Sequence, residues 1–180
     1  MDETVRQELI ALLPRLRRFA YGLTGSLDEG DDVVQSACER ALTRLHQWRP
    51  GSRLDSWMYR IVQNLWIDRV RMRRQHPEAG PEVLEQLPGG DAEREAEARH
   101  DLGTVRRLVA RLPEEQRAVL ALVTVEGLSY QDAADSLGIP IGTVMSRLAR
   151  ARLALGRMMS DTNPAAQPAQ PRLRVVEKRP

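Results

Sequence analysis

The amino-acid sequence predicts an all-α fold in which two small helical domains are joined by a flexible acidic linker. Apolar residues recur at helical spacing on both sides of a segment in which prolines, glycines and acids accumulate and periodicity fades. No alternating apolar and polar pattern typical of a strand is present. We therefore predict a first domain over residues 1–76, a linker over 77–101, a second domain over 102–160 and a disordered tail over 161–180.

The composition excludes several classes of protein. No apolar run approaches the roughly 18 residues needed to span a bilayer, and the acidic, amphipathic N-terminus is unlike a signal peptide, so we expect a cytoplasmic protein. Cys38 is the only cysteine, and the three histidines are scattered along the chain. The sequence therefore predicts no disulfide framework, no metal site and no cofactor.

The charge is divided into blocks along the chain. Residues 49–76 carry a net charge of +5 and residues 105–160 carry +3, whereas residues 77–104 between them carry −6. Two basic blocks separated by an acidic stretch indicate two contacts with nucleic acid, joined by a connector that avoids nucleic acid or competes with it.

Helical periodicity begins in the first residues. Val5, Leu9 and Leu12 share one stripe, and we expect Pro14 to end that helix and to open a second short one. The segment 22–30 is rich in Gly, Ser and Asp and predicts a turn. Asp31 and Asp32 then occupy the position at which acids favour the N-terminus of the next helix.

Two further helices complete the predicted first domain. The earlier one runs to about Trp48, and its apolar face is formed by Val34, Cys38, Leu45 and either Ala41 or Leu42, which makes Cys38 a core residue and not a reactive thiol. A loop over residues 49–52 follows. A long helix over about 54–74 then faces the core with Trp57, Met58, Ile61, Val62 and Leu65.

Residues 126–152 have the parts of a helix-turn-helix. Ser129 is placed to cap the first helix, and Gly138 supplies the turn. In the second helix the apolar residues lie on one stripe. Another face carries hydroxyl and guanidinium groups from Thr143, Ser146, Arg147 and Arg150. Such groups donate to base edges and phosphates in the major groove, so this face predicts a reader of duplex DNA.

Aromatic residues alternate with arginines over residues 48–74. Unpaired bases stack on aromatic or guanidinium planes, and arginines follow a phosphate backbone, so this surface suits single strands. Trp57 is better explained as a core residue. Tyr59, Arg60 and Asn64 lie off the apolar stripe and are the better candidates for contact.

Several short motifs occur in a specific order: Asp32-Val-Val-Gln35, Trp57-Met-Tyr-Arg-Ile61, Glu126-Gly-Leu-Ser-Tyr130 and Gly142-Thr-Val-Met-Ser-Arg-Leu148. In this order the chain resembles the extracytoplasmic-function (ECF) group of the sigma-70 family of bacterial RNA polymerase sigma factors. The resemblance implies a region 2 domain that recognises and melts the −10 promoter element and a region 4 domain that reads the −35 element. It also implies that a helix of region 2 docks on the largest polymerase subunit.

The resemblance and the residue patterns together assign three candidate sites. We expect the −35 element to contact Thr143, Ser146, Arg147 and Arg150. The −10 candidates are Arg49, Ser52, Arg53, Tyr59, Arg60 and Asn64. The polymerase-binding candidates are Asp32, Gln35, Glu39 and Arg40. The expected partners are core RNA polymerase, promoter DNA and an anti-sigma factor.

Other functions fit the sequence less well. A sigma-like decoy that sequesters an anti-sigma factor is the main alternative, although its DNA-reading residues should be eroded. A helix-turn-helix repressor would leave the first domain without a task. An enzyme is not expected, because no histidine lies at motif spacing from a nucleophile or carboxylate pair and no phosphate-binding glycine loop is present.

Overall fold

The computed structural model describes residues 3–75 and 103–162, and within these ranges every regular element is helical. The predicted linker lies outside the described residues, as does nearly all of the predicted tail. The first domain contains α1 (Glu3–Thr24), α2 (Leu27–Thr43), a 3₁₀ turn (Leu45–Gln47) and α3 (Leu54–Gln75). The second contains α4 (103–110), α5 (Glu114–Leu120), a π-helical segment (Ala121–Val125), α6 (Tyr130–Leu137) and α7 (Ile141–Thr162).

Helix α1 continues through Pro14, so the predicted break at that residue is wrong. A proline removes one backbone donor and leaves the carbonyl four residues earlier without its helical partner. Both Pro14 and Ile10, whose carbonyl is the one affected, are exposed, so water can hydrate that carbonyl. Burial of Leu16, Phe19 and Ala20 in the following turns stabilises the helix beyond the proline.

The turn between α1 and α2 is shorter than the composition predicts. Helix α1 extends to Thr24, and α2 begins at Leu27 and not at Asp31. The side chain of Ser26 caps α2 by accepting a hydrogen bond from the backbone N–H of Glu29 at 3.4 Å. A local capping hydroxyl therefore determines where the helix begins.

The core of the first domain forms where α1, α2 and α3 pack together. Phe19 and Tyr59 meet edge to face, with ring centroids 5.1 Å apart. Ala41 is buried and Leu42 is exposed, which resolves the alternative that the sequence left open. Cys38 is half-buried against the core, and burial, followed by the charge of Glu39, raises the pKa of its thiol. The interpretation of Cys38 as a packing residue is confirmed.

The second domain surrounds a compact helix-turn-helix. Ser129 caps α6 by accepting a hydrogen bond from the backbone N–H of Asp132 at 3.0 Å. Gly138 ends the helix with φ +65°, a left-handed conformation in which glycine carries no steric penalty. The apolar stripe of α7 is buried against α5 and α6 through Val144, Leu148 and Ala151. The capping residue, the turn glycine and the apolar stripe are all as predicted.

The two domains pack directly against each other. Helix α6 lies against α3, and both α5 and the π-helical segment contact α1. Buried apolar side chains of both domains form one continuous core cluster. The sequence predicts two domains but not this packing, which brings the second domain into contact with Arg53, Tyr59 and Arg60 of the first.

Candidate nucleic-acid interface

Helix α7 presents the predicted duplex-reading residues on the side opposite its buried stripe. Ser146 and Arg150 are exposed, and the Arg150 guanidinium donates to the Ser146 carbonyl at 3.2 Å and to its hydroxyl at 3.3 Å. Thr143 and Arg147 are partly buried. Arg147 forms an ion pair with Glu115 of α5, with its Nη2 atom 2.7 Å from a carboxylate oxygen. This face offers a hydroxyl and guanidinium donors of the kind that recognise guanine and phosphate.

The loop between the 3₁₀ turn and α3 is held by a hydrogen bond from a side chain to its own backbone. The Ser52 hydroxyl donates to the Arg49 carbonyl at 2.7 Å. Gly51 adopts φ +84°, so the tight turn requires glycine at this position. Arg49 and Ser52 are exposed, as is Asn64 on α3. Arg53 and Arg60 are exposed too, so five of the six predicted strand-binding residues face solvent.

Arg53 and Asp55 form an ion pair at the start of α3. The guanidinium donates to the carboxylate at 2.8 and 3.1 Å, and the hydrogen bond raises the pKa of Arg53. Burial alone would raise the pKa of Asp55, but hydrogen bonds from Arg53 and from the Ser56 backbone lower it overall. Arg53 also pairs with Asp132 of the second domain.

Tyr59 is fully buried, so the expectation that it lies off the apolar stripe is wrong. Its ring packs on Phe19, and its hydroxyl donates to a Glu126 carboxylate oxygen at 3.0 Å. Burial, followed by the negative charge of Glu126, raises the pKa of the Tyr59 hydroxyl, which stays protonated at neutral pH. A tyrosine fits this site because its ring is apolar and its tip is a hydrogen-bond donor.

Arg60 and Arg117 bind backbone carbonyls across the domain boundary. Arg60 donates to the carbonyls of Asp135 and Ser136 at the end of α6, where a cation is favoured by the helix dipole. Arg117 is buried and donates to the carbonyl of Leu23 near the end of α1, and burial lowers its pKa. Both arginines would lose these partners if the domains separated.

The predicted polymerase-binding residues share one face of α2. Asp32, Gln35 and Glu39 are exposed, and the Gln35 side chain donates to the Glu39 carboxylate at 3.2 Å. Arg40 is partly buried in the last turn of the helix. Asp32 is anchored through its carbonyl, which accepts a hydrogen bond from Arg69 of α3 at 3.2 Å. The face is polar, and the helices that pack most closely against α2 are α1 and α3 of its own domain.

Sequence reasoning missed the residues that join the domains. Glu126 lies in a recognised motif, but its side chain is fully buried and paired with Arg15 and Arg18 of α1. One available signal was its place as a lone acid at the end of the apolar stretch 118–125. A buried acid requires positive partners, and α1 offers several arginines.

Two kinds of feature are absent from the described residues, 3–75 and 103–162. No group of three or more His, Cys, Asp or Glu side chains is arranged to hold a metal ion within these ranges. Among the same residues, no helix is both long and apolar enough to cross a bilayer.

Fold and surface together define a helical nucleic-acid-binding protein with a helix-turn-helix in its second domain. The family model described as sigma-70, region 4 matches residues 102–155, and the model for the sigma2 domain of PhyR matches residues 9–63. The ECF RNA polymerase sigma factor EcfG of Rhodopseudomonas palustris is 36% identical over 163 residues, which cover 88% of this chain and 87% of that protein. The chain belongs to the ECF group of RNA polymerase sigma factors.

Solved structures show the same architecture. The sigma factor RpoE of Bartonella quintana, in complex with the anti-sigma factor NepR, has a TM-score of 0.70 and 29% identity, covering 88% of this chain and 98% of that one. The PhyRSL–NepR complex from Sphingomonas sp. Fr1 has a TM-score of 0.57 and 26% identity, covering 86% of this chain and 88% of that one.

Proposed function

We propose that this protein binds core RNA polymerase and directs it to promoters by reading a −35 element, reading a −10 element and melting the DNA there. The geometry of the helix-turn-helix carries the proposal. Ser129 and Gly138 fix α6 against α7, and Ser146 and Arg150 remain exposed on the reading face. A helix that presents hydroxyl and guanidinium groups in this way fits the major groove.

The −10 function is assigned to the loop before α3 and to the exposed side of that helix. Arg49, Ser52 and Asn64 can donate to bases and phosphates, and Arg53 and Arg60 add positive charge beside them. Arginine planes also stack on unpaired bases. Tyr59 remains in the proposed site, but it acts through its hydroxyl because its ring is buried.

The two proposed elements lie about 25 base pairs apart, or roughly 85 Å at about 3.4 Å per base pair. Domains in direct contact cannot reach both elements, so the proposed function requires them to separate on the promoter. The linker over residues 77–101 can just cover this distance, since its 25 residues span at most roughly 80 to 90 Å when fully extended.

Two protein partners follow from the proposal. The polar face of α2, with Asp32, Gln35, Glu39 and Arg40, is assigned to core polymerase because it stays accessible when the domains are packed together. An anti-sigma factor is the second partner, since the related sigma factor RpoE was solved with the anti-sigma factor NepR. The role is one of binding, and it needs no catalytic residue or cofactor.

A decoy that captures an anti-sigma factor is the second candidate function. It is favoured by the match of residues 9–63 to the sigma2 domain of PhyR and by the similarity to the PhyRSL–NepR complex. Against it stands the basic reading surface, because a decoy has no need of exposed Arg150 or Arg49.

Run-off transcription separates the two functions. Core polymerase is incubated with a library of promoter fragments, with and without this protein. Discrete transcripts that depend on the protein, and that weaken with Ser146→Ala/Arg150→Ala, support the initiation factor. No transcripts with any fragment, together with restored activity of another sigma factor held by an anti-sigma factor, would establish the decoy instead.

A further inference from the structure

One buried carboxylate joins the two domains. Glu126 of the second domain has a fully buried side chain. It accepts hydrogen bonds from Arg18 at 3.1 and 3.3 Å, from Arg15 at 3.3 Å and from the Tyr59 hydroxyl at 3.0 Å. All three donors belong to the first domain, so the domain carries a preformed set of donors around one anion.

These donors match a phosphate as well as a carboxylate. Arginine binds both anions through planar, charge-assisted hydrogen bonds, and a neutral hydroxyl adds a further donor. A carboxylate oxygen of Asp55 also lies 3.7 Å from the Arg15 guanidinium, but Asp55 is bound by Arg53. Without Glu126, Arg15 and Arg18 would carry excess positive charge and would favour another anion.

The donor set lies beside the proposed strand-binding residues. Arg53 immediately precedes α3 and Arg60 follows Tyr59 within it. Arg53 binds the Asp132 carboxylate of the second domain, and Arg60 binds the carbonyls of Asp135 and Ser136. Oxygen acceptors of the second domain thus occupy arginines that would otherwise hold a phosphate backbone. The second domain therefore contacts Arg53, Tyr59 and Arg60 of the −10 surface through oxygen atoms, as the backbone of a nucleic-acid strand would.

We propose that Arg15, Arg18 and Tyr59 bind a phosphate of the separated promoter strand, and that Glu126 occupies the same donors while the domains are packed together. This inference rests on the proposed function, because it assigns part of the −10 surface to a named set of donors. Strand binding and domain packing then exclude each other. The free protein binds single strands weakly until the domains separate.

Two variants open the interface by different means. Glu126→Gln removes the negative charge that holds Arg15 and Arg18. A β-carbon added at position 22 would lie 3.2 Å from the Cβ atom of Ala121. Gly22→Leu therefore pushes α1 away from the π-helical segment and leaves the donor set intact. Leucine also favours the helix in which Gly22 lies. Both variants should keep the parent's helical circular dichroism and show a larger radius of gyration by X-ray scattering.

Strand affinity is then measured by fluorescence anisotropy with a labelled single strand of about 16 nucleotides. Each opening variant should bind roughly tenfold more tightly than the parent, as expected for hydrogen bonds to a charged partner. Adding Arg15→Ala/Arg18→Ala to either variant should abolish this gain. It should also make the plot of log binding constant against log salt concentration less steep, by about 0.7 in slope for each lost phosphate contact. Adding Arg6→Ala/Arg17→Ala instead should retain most of the gain.

Arg6 and Arg17 make a matched control because both are exposed on α1 and paired away from the cluster, with Glu3 and Asp31. Equal losses with both pairs of substitutions would overturn the proposal in favour of general charge attraction. It is also overturned if the opened variants gain no strand affinity, if neither variant expands, or if only the affinity for core polymerase changes. Run-off transcription is a separate readout, so the initiation role can fail while this strand-binding pattern holds.

Discussion

The guanidinium of Arg147 on α7 lies 2.7 Å from a carboxylate oxygen of Glu115 on α5. The pair ties a predicted DNA-reading residue to the neighbouring helix of the same domain. Among the described residues, Arg150, one turn further along α7, bonds within its own helix to Ser146. Of the two arginines, Arg147 must therefore exchange a protein partner for DNA, whereas Arg150 is already exposed.

Replacing Arg147 and Arg150 singly with Ala should weaken binding to duplex containing the −35 element by about 1 to 3 kcal/mol for each good base contact. Affinity measured against cognate and scrambled duplexes tests this. Arg152→Ala is the control, since Arg152 is exposed on a different side of α7. If neither substitution alters affinity or promoter choice, the assignment of this face is incorrect.

Glu115→Gln should strengthen binding to the −35 duplex. Removing the carboxylate releases Arg147 and removes a negative charge near the DNA. Exposed ion pairs contribute less than about 1 kcal/mol, so the gain in affinity should be of that size. In the Arg147→Ala background the same substitution should yield a smaller gain, and an equal gain would indicate that only net charge matters.

Replacing Arg53, Arg60 and Asn64 together with Ala should reduce promoter opening, because stacking and backbone contacts contribute about 1 to 3 kcal/mol per base. Permanganate footprinting of unpaired thymines measures the opening. Tyr59 is left intact because it is buried in the core. Normal opening by the triple variant, at unchanged binding to core polymerase, is the outcome that contradicts the −10 assignment.

Gly138→Ala should destabilise the second domain by about 1 to 2 kcal/mol, since a left-handed conformation costs a residue with a side chain this much. The added methyl group would also lie about 3.5 Å from the Arg60 guanidinium. Chemical denaturation followed by circular dichroism measures the change. Gly156→Ala is the control because Gly156 lies in α7 and has open space around it, and alanine there should be neutral or stabilising.

Asp55→Asn should destabilise the protein at neutral pH by about 1 to 3 kcal/mol through lost charge-assisted hydrogen bonds. The pKa of Asp55 is lowered in the folded protein, so its contribution is fully present above the unfolded value of about 3.9 and is lost as pH falls through the folded value. The difference between variant and parent should therefore shrink below about pH 4. A pH-independent difference would show that packing and not charge is responsible.

Local features were predictable from sequence because their causes are local. The cap at Ser129, the turn at Gly138 and the apolar stripe of α7 each depend on residues within one or two helical turns. The start of α3 at Leu54 follows from the loop residues before it. These features position the proposed duplex-reading face on α7, whose contact with DNA stays a prediction.

The strand-binding part could be predicted only incompletely because its environment is built by distant residues. Tyr59 is buried by Phe19 on another helix and by Glu126, which is 67 residues away. Periodicity along α3 describes which face meets its own domain but contains no information about a second domain. The continuity of α1 through Pro14 was missed for a similar reason, since packing beyond the proline determines it.

The distance between the domains tests the central claim most directly: that one chain is closed when free and open on a promoter. Spin labels on Leu42→Cys and Leu153→Cys, both at exposed positions, in a Cys38→Ala background report it by pulsed electron resonance. We predict a short distance for the free protein and a distance longer by tens of ångströms with core polymerase and promoter DNA, as reaching two elements about 25 base pairs apart requires. A short distance that persists in a complex actively making transcripts would contradict the claim.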